Sequence, residues 1–405
     1  MARATSESGT NVVAGPVVRR LEWLDGVRGL AAFFVLLHHV WLMTIGGYPG
    51  NNGPATTDWL VFGHLAVSVF IVVSGFSLML SPSNHGMRLK DGPAGFLRRR
   101  FWRIVPPFWA ALIFSSVLIW TGLITTSSGA PYAAKDFFVF FFLIHDAVGA
   151  VSPNGVFWSI AIEWHIYFLF PLVLWGMRRY GFLPSFLVIS ALVVIQHVLA
   201  LFFPVFAVLN RFSPAYLVLF LAGAGAAWVA RKPQGIRLAQ WLGTLMVLAF
   251  VLLATLLGTE TIVANYFWID LLVGMGTACA FVGLAGGGWR LLGKVLAWRP
   301  LAFMGGMAYS LYLCHAPMLD LVRTYVIEPL DLGPMAAFWL LLAIGTPVAL
   351  AACYLFFWLC ERPFLTIRSF ADLRLSLGSL FRKPRSGAHR TSKTIDRSGT
   401  GKARK

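Results

Sequence analysis

Residues 24–41, LDGVRGLAAFFVLLHHVW, place a carboxylate, an arginine and two adjacent histidines in a run otherwise apolar enough to lie in lipid. Imidazole titrates near neutral pH and a guanidinium holds anions, so these residue types suit acid–base or group-transfer chemistry. Ionisable groups inside a membrane are costly and usually face a polar cavity or a partner, which makes a functional reading the default. On an α-helix each residue turns by about 100° and rises about 1.5 Å, so Arg28 and His39 differ by a net rotation of about 20° and a rise of about 16 Å. They share a face. His38 is rotated about 80° away from Arg28, so His39 is the histidine expected in any site that Arg28 lines. Arg28 is otherwise a snorkelling anchor, and His38 is expected to be packed or hydrogen-bonded. Asp25 either caps the helix or pairs with Arg28, and capping is the expected role.

This stretch resembles the opening helix of the integral-membrane acyltransferase family 3, whose signature is an arginine, ten residues and a histidine. Arg28 and His39 stand at that spacing. Further on, FLRRRFWRIVPPFW (residues 96–109) ends a basic loop just ahead of an apolar run. Its arginines either enforce topology or form an anion site, since guanidinium forks bind phosphates and coenzyme A carries several. The family has a similar Arg-Arg-x-x-Arg motif associated with the acyl-coenzyme A donor, matched by Arg99, Arg100 and Arg103. The segment NGVFWSIAIEWHIYFLFP (residues 154–171) sinks Glu163 and His165 into an apolar helix. A carboxylate there is ion-paired, hydrogen-bonded or catalytic. It resembles the family's Trp-Ser-x-x-x-Glu stretch, matched by Trp158, Ser159 and Glu163, with Tyr167, Phe170 and Pro171 following; His165 is read as structural. VFIVVSGFSLML (residues 69–80) resembles a second-span motif in which Ser74 and Gly75 allow close helix packing. GGMAYSLYLCHAPM (residues 305–318) matches a further one, and by that resemblance Tyr309, Ser310, Tyr312 and His315 line the site, with a purely structural role for His315 equally open. Glu361, Arg362 and Pro363 close the last span as a helix terminator.

The elements that must hold these residues are membrane helices. Of the 405 residues 58% are hydrophobic and 12% charged, and the mean hydropathy is +0.74, which excludes an ordinary soluble domain. Ten apolar spans are expected, at about 27–45, 60–80, 105–126, 156–176, 182–203, 213–230, 239–258, 266–286, 301–321 and 336–359. The fold class is therefore an all-α polytopic bundle with both termini on one side. If that side is cytoplasmic, only Lys135, Arg211 and Arg323 of the 33 basic residues fall outside. The net charge of +17 then reflects topology and not nucleic-acid binding. FFVFFFLIH (residues 137–145) is too short to span and is expected as an interfacial or re-entrant helix covering a site on the outer side. Residues 1–23 are expected to be a cytoplasmic tail without a signal peptide, 24–363 the transmembrane domain, and 364–405 a disordered basic tail able to touch anionic lipid. Cys279, Cys314, Cys353 and Cys360 all lie in apolar segments and are expected to be reduced packing residues.

The resemblance runs from residue 24 to 363 and implies transfer of an acyl group, most often acetyl, from cytoplasmic acyl-coenzyme A to a hydroxyl, commonly of a carbohydrate. No metal and no permanently bound cofactor are expected; the thioester is a substrate. His39 is expected as general base, with an acyl-histidine intermediate as the alternative, and Glu163 as the group that orients the imidazole. Arg28, Arg99, Arg100 and Arg103 are expected to hold the donor, and Ser159, Tyr309 and His315 to line the site. A glycolipid transporter and a haem protein ligated by His39, His165 or His315 are the rivals.

Overall fold

The computed structural model describes residues 21–231, 235–367 and 372, so the N-terminal tail and most of the basic C-terminal tail lie outside the described residues. Among the described residues there is no strand. Helix α1 (Glu22–Thr44) leads through a 3-10 stretch, Ala55–His64, into α2 (Leu65–Asn84). α3 (Gly92–Trp120) is followed by two short helices, α4 (Ala134–Phe141) and α5 (His145–Val148). Next come α6 (Trp158–Tyr180), α7 (Phe182–Phe202), the single turn α8 (Pro204–Ala207) and α9 (Ala215–Val229). The chain continues through α10 (Ile236–Ala264), α11 (Tyr266–Ala285), α12 (Arg290–Leu296), α13 (Arg299–Gly306) and α14 (Ala308–Val322). It finishes with α15 (Pro334–Leu340) and α16 (Thr346–Phe356), which belong to one helical run, Pro334–Leu365.

All ten expected segments are helical, but they do not make ten uninterrupted spans. Among the described residues eight helices are long and apolar enough to cross a membrane, and a ninth forms if the pair Pro204–Phe212 and Ala215–Val229, bent by 48°, is one span. The segment expected at 301–321 is instead two helices broken at Met307. Gly305 and Gly306 immediately before the break are weak helix formers, which favours the interruption there. α3 also departs from expectation. It starts at Gly92, so Arg98 to Arg103 sit on the first turns of a 29-residue helix and not on a loop.

With lipid tails as apolar as leucine, helices in a membrane associate through close packing, and small residues set how close. α1 lies against α13, and a Cβ on Gly29 would stand 2.1 Å from the Leu301 carbonyl oxygen. α2 lies against α9, where a Cβ on Gly75 would be 1.9 Å from the Phe220 carbonyl oxygen. These approaches require glycine. α14 is buried along most of its length, whereas α7 buries only Val193 and α10 only Ala239, Gly243 and Ile262. The outer faces of α7 and α10 are thus the lipid-facing wall.

α4 has eight residues and does not span; Trp109 of α3 donates to the Phe141 carbonyl at 2.9 Å and stacks on its ring. All four cysteines are unpaired, Cys314 and Cys353 buried, the other two half-buried.

Candidate active site

Two neighbouring cavities hold most of the chemistry-bearing residues. The first, about 150 Å³, is lined by Arg28 from α1, Arg100 and Arg103 from α3, Glu163 and Tyr167 from α6, and Glu361 from the last helical run. Arg28 is held in place from both ends of its guanidinium: Nη1 donates to Asp25 at 2.9 Å and Nη2 to Ser77 at 2.7 Å. Asp25 pairs with the arginine, and the N-cap position is held by Leu21 and not by Asp25, so the pairing alternative is the one formed. One turn of helix separates the two, so the ion pair fixes the arginine's direction at little cost in side-chain freedom. Ser74 donates to Tyr167 at 2.9 Å, and Tyr167 donates to Glu163. Glu361 accepts from the Ser310 backbone N–H at 3.0 Å and its hydroxyl at 2.5 Å. Tyr309 lines the same cavity and donates to the Ile104 carbonyl at 2.9 Å. Three guanidiniums therefore face two carboxylates, and Nε of Arg100 is buried with no hydrogen-bond partner among the described residues. Arg99 is not brought into this group. Successive helix residues diverge by about 100°, and Arg99 turns away to pair with Asp91.

The second cavity, about 520 Å³, is lined by His38, His39 and His64 together with Tyr48, Trp158, Asn154, Asp320 and Arg323. His39 Nδ1 is 2.8 Å from the Val35 carbonyl, and a carbonyl only accepts, so Nδ1 carries the proton and Nε2 the lone pair. His315 Nδ1 likewise donates to the Leu311 carbonyl at 2.7 Å, leaving its Nε2 as an acceptor 3.3 Å from His39 Nδ1–H. His315 is fully buried behind His39 and fixes its tautomer and tilt. His38 donates from Nδ1 to the Leu60 carbonyl at 2.7 Å and packs on Trp41. Its ring fills the space over Gly63, where a Cβ would meet it at 2.2 Å.

The cavities meet at Val67 and Tyr312, which line both. Ser159 lines the first cavity and bonds the Tyr312 hydroxyl at 2.8 Å, so this pair forms the partition. Arg28 and His39, on one helix face, open on opposite sides of it. Glu163 lies on the arginine side and is bonded by Tyr167, while the group against His39 is His315. The expected pairing of Glu163 with the His39 imidazole is therefore absent. No residue of 137–145 lines either cavity; residues 124–127 and 153–156, on either side of that segment, line the second. His165 pairs with Asp146 at 2.9 Å, away from both cavities.

No site role is expected from the sequence for three of these residues, Glu361, His64 and Asp270, although two of them leave a trace there. Glu361 was legible as an acid ending an apolar run, yet only folding carries it back to Ser310. His64 and Asp270 are 206 positions apart and meet at 3.1 Å. Asp270 is a lone carboxylate inside the apolar run YFWIDLLVGMG, and that placement was the available signal.

Comparison with known proteins bears on the whole bundle. The chain is 25% identical to the O-acetyltransferase OatA of Staphylococcus aureus over 76% of this chain and 52% of that protein. It is 22% identical to the peptidoglycan O-acetyltransferase OatA of Listeria monocytogenes over 75% of this chain and 50% of that protein. The chain thus spans about half the length of the curated relatives it matches. No solved structure gives a significant match. The acyltransferase domain family matches residues 21–358, which include both cavities except Glu361. This multi-pass bacterial membrane protein, with its arginine and histidine cavities inside the matched region, belongs to the acyltransferase domain family.

Proposed function

We propose that the protein is a membrane O-acetyltransferase that moves an acetyl group from acyl-coenzyme A to a hydroxyl of a carbohydrate, with the glycan of the cell wall as the acceptor its relatives' names favour. The observation that carries this reading is the unprotonated Nε2 of His39 on a cavity that adjoins an arginine-lined one at Tyr312. The bias of basic residues supports a cytoplasmic side for the arginine cavity. Arg100, Arg103 and Arg28 then attract the donor's phosphates, and the buried unpartnered Nε of Arg100 supports an anionic ligand there. Arg99 contributes at the surface. The thioester arm passes the Ser159–Tyr312 partition to reach His39, and the larger cavity, mixing aromatic rings with polar groups, receives the sugar. His39 is the imidazole that meets the reacting atoms, as base for the hydroxyl or as acceptor of the acyl group.

Mass spectrometry of envelope glycans and lipids from cells with the protein, without it and with His39→Ala tests this. The expected result is loss of one acetyl group from a hydroxyl compound in both deficient strains, with the transfer rate of the variant down by about 10²–10⁴-fold. Unchanged acetylation with a defect in glycolipid movement would favour a transporter.

A further inference from the structure

Of the three imidazoles that line the histidine cavity, that of His64 stands in a setting unlike that of His39. His64 stands where the 3-10 stretch Ala55–His64 joins α2, and its ring is stacked between Trp158 (centroids 5.3 Å apart, 5° between planes) and Tyr266 (4.2 Å, 12°). Its Nε2 is 3.1 Å from Asp270 Oδ2. Asp270, on α11, is buried and also accepts from Ser68 at 2.6 Å and from Tyr216 at 3.3 Å. Because the carboxylate only accepts, Nε2 carries the proton, and Tyr216, 2.9 Å from that nitrogen, directs its own hydroxyl hydrogen to Asp270. Nδ1 of His64 is left with the lone pair, on a ring that lines the cavity. Four helical elements thus converge to clamp one ring in one plane and one tautomer.

The difference from His39 decides the chemistry. An imidazole backed by a carboxylate gains stabilisation as it becomes an imidazolium, and this favours taking a proton. His39 is backed by a carbonyl and a neutral imidazole, with no carboxylate against it. With Nδ1 engaged, such a ring retains a free Nε2 to attack carbon.

We propose that the two imidazoles divide the reaction: His39 receives the acyl group, and His64, held by Asp270, is the base for the acceptor hydroxyl. This rests on the acyl-transfer reading above. In the first step His39 Nε2 forms a bond to the thioester carbonyl carbon, the carbon–sulfur bond breaks, and the thiolate leaves with the electron pair. The product is an acyl-imidazolium that keeps its Nδ1 proton. In the second step the acceptor oxygen bonds to that carbon while His64 Nδ1 takes the hydroxyl proton. The carbon–nitrogen bond breaks, His39 returns as neutral imidazole, and His64 passes its proton to solvent.

The experiment uses the full chain in native membranes supplied with envelope glycan as acceptor, and the purified chain in acceptor-free proteoliposomes, with acetyl-labelled acetyl-coenzyme A as the probe. In proteoliposomes the wild type is expected to release at most one thiol per chain and to hold the label. His64→Gln and Asp270→Asn retain that burst and that label. In native membranes their acetyl transfer to glycan falls by about 10²-fold or more, with kcat and the donor KM reduced together and the donor kcat/KM unchanged. His39→Ala loses the burst and the transfer together. The division is overturned if His64→Gln transfers at the wild-type rate, if both variants lose the burst while keeping the wild-type thermal midpoint, or if the wild type turns over without ever holding label. A wild type that releases no thiol even in native membranes would instead overturn the acyl-transfer reading itself.

Discussion

Arg99 and Arg100 are adjacent in one motif but face different surroundings. Arg99 pairs with Asp91 at the surface, and Arg100 lines a cavity with a buried donor unpartnered. A hydrogen bond to a charged group is worth about 1.5–3 kcal/mol, so Arg100→Gln is expected to raise the KM for an acyl-coenzyme A donor by about 10–100-fold. Arg99→Gln should change it by a few-fold at most, as for an exposed ion pair; initial-rate kinetics with varied donor would separate the two. The histidine doublet divides in a similar way. His38→Ala leaves the buried Leu60 carbonyl without its donor, at a cost of about 1–3 kcal/mol in stability. Its thermal midpoint should drop while transfer per folded molecule stays far above that of His39→Ala. The turn of about 100° per residue made the two histidines unequal in the sequence. The same rule could not say that His315 would stand behind one of them, because that contact joins residues 276 positions apart.

Between helices, the decisive contacts are made by residues with no side chain. Gly75 on α2 meets the α9 backbone so closely that an added methyl group would clash with a carbonyl oxygen. Gly75→Ala is expected to destabilise the bundle by about 1–3 kcal/mol or more by forcing α2 from α9. Gly306, around which an added Cβ meets nothing within 4 Å, provides the control: Gly306→Ala should leave the midpoint nearly unchanged, read by thermal unfolding of both in detergent. Helix existence was legible for every expected segment because each apolar run has the length a bilayer demands. Interruptions were not. The break at Met307, the bend of 48° before α9 and the early start of α3 depend on local backbone fit against neighbours, which hydropathy does not report.

At the level of the whole molecule, the connection between α3 and α6 stacks His145 of α5 on Phe140, and burial pushes its imidazole down to about 4. An unfolded histidine titrates near 6.5, so between about pH 6.5 and 4 the unfolded chain binds a proton that the folded one refuses. The stability tied to neutral His145 is complete above that window and is lost as pH falls through it. The thermal midpoint of the wild type should decline from pH 7 to 4.5, and His145→Phe should flatten the decline. By itself the sequence determined the membrane class, the helical content, the first-helix face shared by Arg28 and His39 and the order of the motifs. These follow from local quantities: apolar length, residue type and the angle per residue. Only the tertiary structure decided that Arg28 and His39 open into separate cavities, that Tyr312 and Ser159 stand between them, that Glu163 belongs with the arginines, and that Asp270 reaches His64. Each of those depends on which helices become neighbours, and in lipid that choice is made by close backbone approach at a few small residues, which hydrophobic patterning does not encode.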